Sequence, residues 1–329
     1  MSDEAMVETA RGPIPVSAMG MTLMHEHVFI TSPEIMQNWP DYPEGFEDEV
    51  RIADAIAQLT LAHNSGVQTI VDCTVIGAGR YVPRIQKVAE GVDVNIIVAT
   101  GVYTYNDVPQ YFYFRGPGTM LGGDEMMTGF FVQDIVEGVG RTGVKAAILK
   151  CATDEPGLTP GVERVLRAVA VAHRETGVPI TTHTHAGLRR GLEQQRVFEE
   201  EGVDLSRVVI GHSGDTSDVH YLEELVANGS YLGMDRFGIE GPSFDERVGI
   251  VATMCERGHA DQMVLSHDTS CFSDLIDFAQ VRVNNPNWRF DHITQDVLPA
   301  LRKRGVTEEQ ITTMLVGNPQ KIFSRQGRY

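Results

Sequence analysis

Eight short apolar segments recur along this chain, and segments with helical periodicity separate most of them. The apolar segments are rich in Val and Ile and do not alternate between apolar and polar residues, which is typical of parallel strands buried on both faces. They cover residues 22–30, 67–74, 94–101, 145–153, 179–185, 208–215, 230–237 and 263–268. Eight strand–helix units favour a (β/α)8 TIM barrel.

A doubly wound open sheet is the alternative fold. Such a sheet normally carries a Gly-rich phosphate turn after an early strand, and the sequence contains neither GxGxxG nor GxxxxGK[ST]. No Pro- or Ser-rich linker divides the 329 residues, so we expect one domain over 1–329 with a lead-in over 1–20. Two inserts, 106–130 and 269–293, are expected to cover the C-terminal mouth of the barrel.

Local signals place the helix boundaries. A helix is predicted over 160–176, because Thr159 is a good N-cap, Pro160 suits the first helical position and Gly177 suits the C-terminal end. The sequence also contains two possible capping boxes, Ser243 with Glu246 and Thr307 with Gln310.

The charge balance argues against two classes of partner. Lys and Arg number 27 and Asp and Glu number 45, which gives a formal charge of −18. A field of that sign repels phosphate backbones and anionic lipid, so neither a nucleic-acid partner nor a membrane partner is expected. The N-terminal segment has no apolar core of a secretory signal, and no 18-residue apolar run is present. The four cysteines form no CxxC motif, and we expect reduced thiols in the cytoplasm.

Several histidines coincide with the ends of predicted strands. His25 and His27 form an HxH pair, and residues i and i+2 of a strand point the same way. His183, His212 and Asp268 lie at the ends of three further strands. A single buried histidine is usually a core residue, but imidazoles and a carboxylate converging from four strands predict a site for zinc-like divalent metals.

Lys150 lies in an apolar stretch of the predicted strand KAAILKCAT, toward the end that faces the same mouth of the predicted barrel. A desolvated ammonium beside metal cations is unfavourable, so the amine is expected to be neutral or to have reacted with CO₂ to form a carbamate that bridges two metals. A lysine that extends to the rim is the alternative. The residues themselves do not choose between these interpretations.

The motifs MHEHVFI, ILKCATDEPG, TTHTHAG, VVIGHSGDT, LGMDRFG and LSHD occur in this order. From about residue 11 to the C-terminus, the chain resembles the phosphotriesterase family of the amidohydrolase superfamily, and within it the phosphotriesterase-like lactonases. The resemblance implies a TIM barrel with a binuclear metal centre and a homodimer. Zinc is the expected metal, with cobalt, iron or manganese as alternatives.

The resemblance also assigns roles to individual residues. It places His25, His27 and Asp268 on the more buried metal and His183 and His212 on the more exposed metal. It makes Lys150 a carboxylated lysine that bridges both metals together with a shared hydroxide.

Three further residues match catalytic positions of the family. Tyr103 corresponds to the lactonase tyrosine near the substrate carbonyl, with a rim aromatic as the alternative. Asp215 and Arg236 correspond to residues beside Asp268 that relay protons, with a purely structural ion pair as the alternative. Tyr105 is expected to be a packing residue.

The predicted activity is metal-dependent hydrolysis of lactones, in particular N-acyl-homoserine lactones (quorum quenching), with weaker hydrolysis of organophosphates. Apolar side chains of the second insert are expected to form an acyl channel; they are Phe272, Leu275, Ile276 and Phe278. The alternatives are a primary phosphotriesterase, another carboxylic ester hydrolase of the superfamily, a deaminase or cyclic amidase, and a barrel that binds metal without catalysis. Lys150 argues against a deaminase.

Overall fold

The computed structural model describes residues 4–41, 46–324 and 327–329. Residues 1–3 of the predicted lead-in lie outside the described part. The strands are β1 (Met6–Val7), β2 (Ile14–Pro15), β3 (Thr22–Ile30), β4 (Thr69–Asp72), β5 (Asn95–Gly101), β6 (Ile148–Thr153), β7 (Ile180–Thr184), β8 (Val208–Ile210), β9 (Tyr231–Met234), β10 (Met263–Leu265) and β11 (Ser270–Ser273).

The helices surround the sheet. They are α1 (Pro33–Asn38), α2 (Asp48–Asn64), α3 (Val82–Glu90), α4 (Gln110–Tyr113), α5 (Met126–Val136), α6 (Pro160–Thr176), α7 (Arg190–Glu200), α8 (Val219–Ala227), α9 (Phe244–Glu256), α10 (Phe278–Asn284), α11 (Leu298–Lys303), α12 (Glu308–Thr312) and α13 (Asn318–Ser324). Two π-helical segments, Ile293–Val297 and Thr313–Gly317, lead into α11 and α13. Among the residues that the structure describes, no helix is long and apolar enough to cross a membrane.

Nine parallel strands curl into a TIM-barrel-like sheet in the order β10-β9-β8-β7-β6-β5-β4-β3-β11. β1 and β2 form a separate antiparallel pair. All eight predicted strands are present, so the predicted fold class is confirmed. The observed strands are shorter than the apolar segments at several ends, because the segments continue into the loops that carry polar side chains.

The segment after β10 joins the two ends of the curled sheet. The backbone N–H of Asp268 donates to the carbonyl of His25 over 3.0 Å, and the N–H of His27 donates to the carbonyl of Thr269 over 2.8 Å. β11 then pairs with β3 in parallel. The second predicted insert is therefore not a simple loop, because it contains a ninth strand and α10.

The predicted helix signals are confirmed. α6 spans Pro160–Thr176, its N-cap Thr159 accepts a hydrogen bond from the N–H of Val162, and Gly177 ends it with φ +76°. Both capping boxes form, at the N-termini of α9 and α12.

Apolar side chains fill the interior of the barrel below the site. Those that the strands contribute include Met24, Val71, Ile97, Ile148, Val209 and Val264. A larger apolar layer packs between the outer face of the sheet and the helices. Because these strands are parallel, their C-terminal ends, which carry the polar side chains, meet at one mouth of the barrel.

Candidate metal centre

His25 and His27 lie on β3 and point toward the same carboxylate. Nε2 of His25 lies 3.5 Å from Oδ1 of Asp268, and Nε2 of His27 lies 3.3 Å from the same oxygen. Both imidazoles are buried. The alternation of a strand therefore places the HxH pair as the sequence predicts.

Asp235, just beyond β9, fixes the orientation of two imidazoles. Its Oδ2 lies 2.9 Å from Nδ1 of His25, and its Oδ1 lies 2.8 Å from Nδ1 of His212. A carboxylate accepts hydrogen bonds, so both Nδ1 atoms carry the proton and both Nε2 atoms present lone pairs. These Nε2 atoms face the centre of the mouth.

His183 on β7 completes the imidazole group. Its Nδ1 lies 2.9 Å from Nε2 of His212, and its Nε2 contacts the Asp154 carboxylate. The hydrogen bond to His183 lowers the pKa of Asp154 to about 2, so this carboxylate is ionised and accepts the Nε2 proton. His183 thereby keeps Nδ1 free for a ligand.

Burial keeps these imidazoles neutral. Desolvation lowers the pKa of His183 to about 4 and also lowers the pKa of His25 and His212. Neutral imidazole is the form that binds metals. The site therefore offers unprotonated nitrogen ligands at neutral pH.

Lys150 on β6 is 1% exposed and lies inside this group. Its Nζ lies 2.6 Å from Nε2 of His25, which is its one hydrogen-bonding contact among the described residues. An ammonium has three donors, and a buried one with two donors unpaired is unfavourable. The position suits an amine that has been modified or neutralised rather than a free ammonium.

Two residues of the site adopt left-handed backbone conformations. His212 has φ +58° and Asp268 has φ +53°. Such angles cost free energy for residues other than glycine, although His and Asp are among the side chains that tolerate them best. The surrounding hydrogen bonds hold both residues in place.

Glu26 holds the segment that carries Asp268. Its side chain is 0% exposed and lies on the opposite face of β3 from His25 and His27. Its oxygens accept hydrogen bonds from Oγ of Ser266, from the N–H and Nδ1 of His267 and from the N–H of Thr269. The hydrogen bond between Nδ1 of His267 and Glu26 therefore holds the His267 ring away from the candidate metal centre.

A chain of charged groups extends from Asp268. Nε of Arg236 donates to Oδ2 of Asp268 over 3.0 Å, and Nη1 donates to Asp215 over 2.9 Å. Burial alone would raise the pKa of Asp268, but His212, His27, His25 and Arg236 together lower it well below its ordinary value. Asp268 is therefore ionised, and its two oxygens face different partners.

Tyr103 lies on the other side of the site. Its hydroxyl lies 3.4 Å from Nδ1 of His183 and contacts the hydroxyl of Tyr105. The ring of Tyr105 in turn packs 5.1 Å from the ring of His183. Burial and the neighbouring Tyr105 raise the pKa of Tyr103, so its hydroxyl stays protonated. Tyr105 is thus a polar neighbour of the site and more than a packing residue.

The donor set fits divalent metal ions. Nitrogen and oxygen atoms of His25, His27 and Asp268 lie within 4.8 Å of one another, and the same holds for His25, His212 and Asp235. Neutral imidazoles and carboxylates are the ligand types of zinc and its neighbours. Hydrogen bonds to the remote nitrogens are also what metal-binding histidines usually make.

Sequence reasoning did not identify the residues that orient the histidines. These are Asp235, Asp154, Glu26 and Thr74, whose hydroxyl lies 2.8 Å from Nδ1 of His27. Three of them follow a strand at the same mouth of the barrel, which is a signal that could have indicated them. His185 is exposed, and its Nδ1 accepts a hydrogen bond from the N–H of Leu188.

The apolar side chains of the second insert differ in exposure. Phe272 is buried against Phe46, and Phe278 packs against Phe272. Leu275 is 55% exposed and Ile276 is 41% exposed. Of these four side chains, Leu275 and Ile276 are the two that an acyl chain can contact without rearrangement.

Comparison with known proteins shows the relationships of the chain. A model of the phosphotriesterase family matches residues 5–323. The phosphotriesterase homology protein of Mycobacterium tuberculosis is 65% identical over 325 residues, which cover 98% of this chain and 99% of that protein. The aryldialkylphosphatase of Saccharolobus solfataricus is 38% identical over 312 residues, covering 93% and 95% of the two chains. The solved structure of the phosphotriesterase from Mycobacterium tuberculosis superposes with a TM-score of 0.96 at 63% identity, covering 98% of this chain and 100% of that one.

Proposed function

This chain belongs to the phosphotriesterase family and is a metal-dependent hydrolase that acts on esters, and we propose that its preferred substrates are lactones. N-acyl-homoserine lactones are the favoured class, which would make the protein a quorum-quenching enzyme. Hydrolysis of organophosphates is proposed as a weaker side activity. The alternative is a primary phosphotriesterase, which the name of the Saccharolobus relative favours.

The observation that carries the lactone proposal is the position of Tyr103. Its protonated hydroxyl lies 3.4 Å from Nδ1 of His183, at the edge of the proposed metal site. A neutral O–H donor at that point is suited to an ester carbonyl or ring oxygen. The exposed Leu275 and Ile276 beside the mouth support an acyl chain on the substrate.

Six residues are proposed to hold two divalent metal ions, with zinc as the expected metal. They are His25, His27, Lys150 in its carboxylated form, His183, His212 and Asp268. When bound, the two ions supply Lewis-acid activation of the ester and a water molecule of lowered pKa.

The remaining chemistry belongs to the side chains. Ionised Asp268 is placed to accept the proton of the attacking water and to deliver it to the leaving oxygen. Arg236, charged because Asp268 and Asp215 outweigh the effect of burial on its pKa, holds Oδ2 of Asp268 in position. Tyr103 orients the substrate through its hydroxyl.

Four further features are proposed with this activity. The chain acts as one domain whose two inserts shape the mouth, and it works as a homodimer in the cytoplasm. All four cysteines are free and buried, which supports a reducing compartment.

The deciding experiment measures kcat/KM of the metal-loaded protein on γ- and δ-lactones, acyl-homoserine lactones and paraoxon. We expect the lactones to exceed paraoxon by at least about tenfold, equivalent to roughly 1.4 kcal/mol of transition-state stabilisation. Rapid turnover of paraoxon with poor turnover of every lactone would reverse the order and make the protein a primary phosphotriesterase.

A further inference from the structure

A cavity of about 470 Å³ lies between the loop after β9 and the end of the second insert. Residues 238–244 form one wall and residues 284–287 form the other, with Arg247 and His292 also lining it. None of the six proposed metal ligands lines this cavity. It is therefore a space separate from the proposed metal centre.

The two walls are held together by specific contacts. The backbone N–H of Glu240 donates to Oδ1 of Asn285 over 2.8 Å. At Gly238, with φ +100°, a Cβ atom would lie 2.3 Å from the carbonyl oxygen of Asn287. Because only glycine allows this approach, the cavity is a built part of the fold rather than a gap between loose loops.

Arg247 lines the cavity with an incompletely paired guanidinium. It is 3% exposed, and its hydrogen bonds to the Gly214 carbonyl and to Oδ1 of Asp215 both use Nη1. Its buried Nε has no hydrogen-bond partner in the described part of the chain. The Nε–Nη2 edge of a guanidinium matches the two oxygens of a carboxylate.

His292 lines the same cavity and offers an unpaired hydrogen-bond acceptor, whereas Arg247 offers an unpaired donor. It is 1% exposed, and its Nδ1 lies 2.8 Å from Oδ2 of Asp296. The proton therefore lies on Nδ1, and Nε2 is an acceptor that has no partner among the described residues. An unpaired buried acceptor is costly, so a ligand that donates a hydrogen bond is favoured there.

Three further charges lie near Arg247 and His292. α9 begins at Phe244, so its N-terminus adds a partial positive charge to the wall. Glu240 is an exposed residue of the same wall and adds a negative charge. Asp215 already neutralises part of the charge of Arg247.

We propose that this cavity binds a short hydroxy carboxylate, with the carboxylate on the free edge of Arg247 and the hydroxyl donating to Nε2 of His292. The proposal rests on the proposed function, because adding water across a lactone ester bond releases one carboxylate and one hydroxyl on the same molecule. The cavity would therefore hold the class of product that the enzyme makes.

The test uses isothermal titration calorimetry on the metal-loaded full-length protein with two probes, 4-hydroxybutanoate and butanoate. We expect 4-hydroxybutanoate to bind about three- to tenfold more tightly, because one hydrogen bond distinguishes the probes. The His292→Phe variant should remove this difference while leaving butanoate affinity unchanged.

Two further variants test the carboxylate position. Arg247→Lys should weaken the binding of both probes by about tenfold or more, since the bidentate edge is lost. Glu240→Gln should tighten both by about two- to fivefold, because it removes a nearby like charge. Arg304→Lys, which alters a pair with Asp245 outside this cavity, is the matched control and should change neither affinity.

Glu240 is exposed, so its variant keeps the test decisive even if Arg247→Lys disturbs folding, which thermal unfolding would reveal. Absence of binding would overturn the proposal. Binding that neither Arg247→Lys nor Glu240→Gln alters would also overturn it and would place the carboxylate outside this cavity. Loss of binding together with retained lactone turnover defeats only this inference. Retained binding in a protein that fails on every lactone defeats only the proposed function.

Discussion

The side-chain nitrogen of Lys150 lies 2.6 Å from Nε2 of His25 in the buried mouth of the barrel. Nε2 of His25 carries a lone pair because Nδ1 donates to Asp235, so the amine donates one hydrogen bond to it. The other N–H donors of an ammonium would have no partner among the described residues, which is costly in a buried site, and conversion to an anionic carbamate removes this cost. This relationship links the metal proposal to a specific chemical modification.

Lys150→Ala should lose bound metal and most of the hydrolytic activity, because no carbamate can form. Adding a short-chain carboxylic acid should restore part of both, since a free carboxylate can occupy the same place. Metal content by atomic emission and kcat with and without the acid provide the measurement. Lys145→Ala, which changes a partly exposed lysine just before the same strand, should behave as wild type. Full activity of Lys150→Ala without rescue would remove the carbamate from the proposed site.

Asp268→Asn should reduce kcat for lactones by about 100-fold or more, because an amide cannot accept the proton of the attacking water. Steady-state kinetics at saturating metal measures this effect separately from metal loss. Asp261→Asn is the matched control, since Asp261 is an exposed residue of the turn before β10. Wild-type hydrolysis of all the lactones by Asp268→Asn would show that the assigned role is wrong.

Asp235→Asn should lower metal affinity by about 10- to 100-fold, as is usual when the partner of a metal-binding histidine is removed. The amide offers one acceptor to two Nδ1–H groups, so one of His25 and His212 loses its orientation. Competition with a chromogenic chelator measures the affinity. An affinity equal to that of wild type would show that Asp235 does not set the tautomers.

Tyr103→Phe should lower kcat/KM for lactones by about tenfold, the effect of one lost hydrogen bond in a site shielded from water. Tyr111→Phe changes a tyrosine that is 48% exposed and serves as the control. If Tyr103→Phe lowers paraoxon hydrolysis as strongly as lactone hydrolysis, the hydroxyl does not select for lactones.

The metal-free protein should lose stability as the pH falls from about 6.5 toward 4. Burial lowers the pKa of His183 to about 4, below the ordinary value of 6.5. The unfolded chain therefore binds more protons than the folded chain in this window, and acidification favours unfolding. Urea denaturation of chelator-treated protein at several pH values measures the slope.

His183→Gln should make that slope smaller, with the remainder coming from His25 and His212, whose pKa values burial also lowers. His220→Gln, which changes an exposed histidine, should leave the slope unchanged. A slope that is identical in wild type and His183→Gln would contradict the assignment of the pH dependence to this imidazole.

The sequence by itself determined the architecture of this protein. Apolar segments without alternation predict strands buried on both faces, and Thr159 and Gly177 predict the ends of α6, because these signals depend on local chain geometry and solvent exclusion alone. The HxH pair was also predictable, since a strand places residues 25 and 27 on one side regardless of what surrounds it.

The tertiary structure decided what orients the histidines. Asp235 reaches His25 across 210 positions of sequence, and no local pattern links the two. The same holds for Glu26, whose side chain fixes the segment around Asp268, and for the pairing of β11 with β3 inside a predicted insert. The unpaired Nε–Nη2 edge of Arg247 is likewise defined only by the fold, because Nη1 is the nitrogen that pairs with Asp215. These relationships depend on burial and on hydrogen bonds between distant strands, which are set only when the barrel closes.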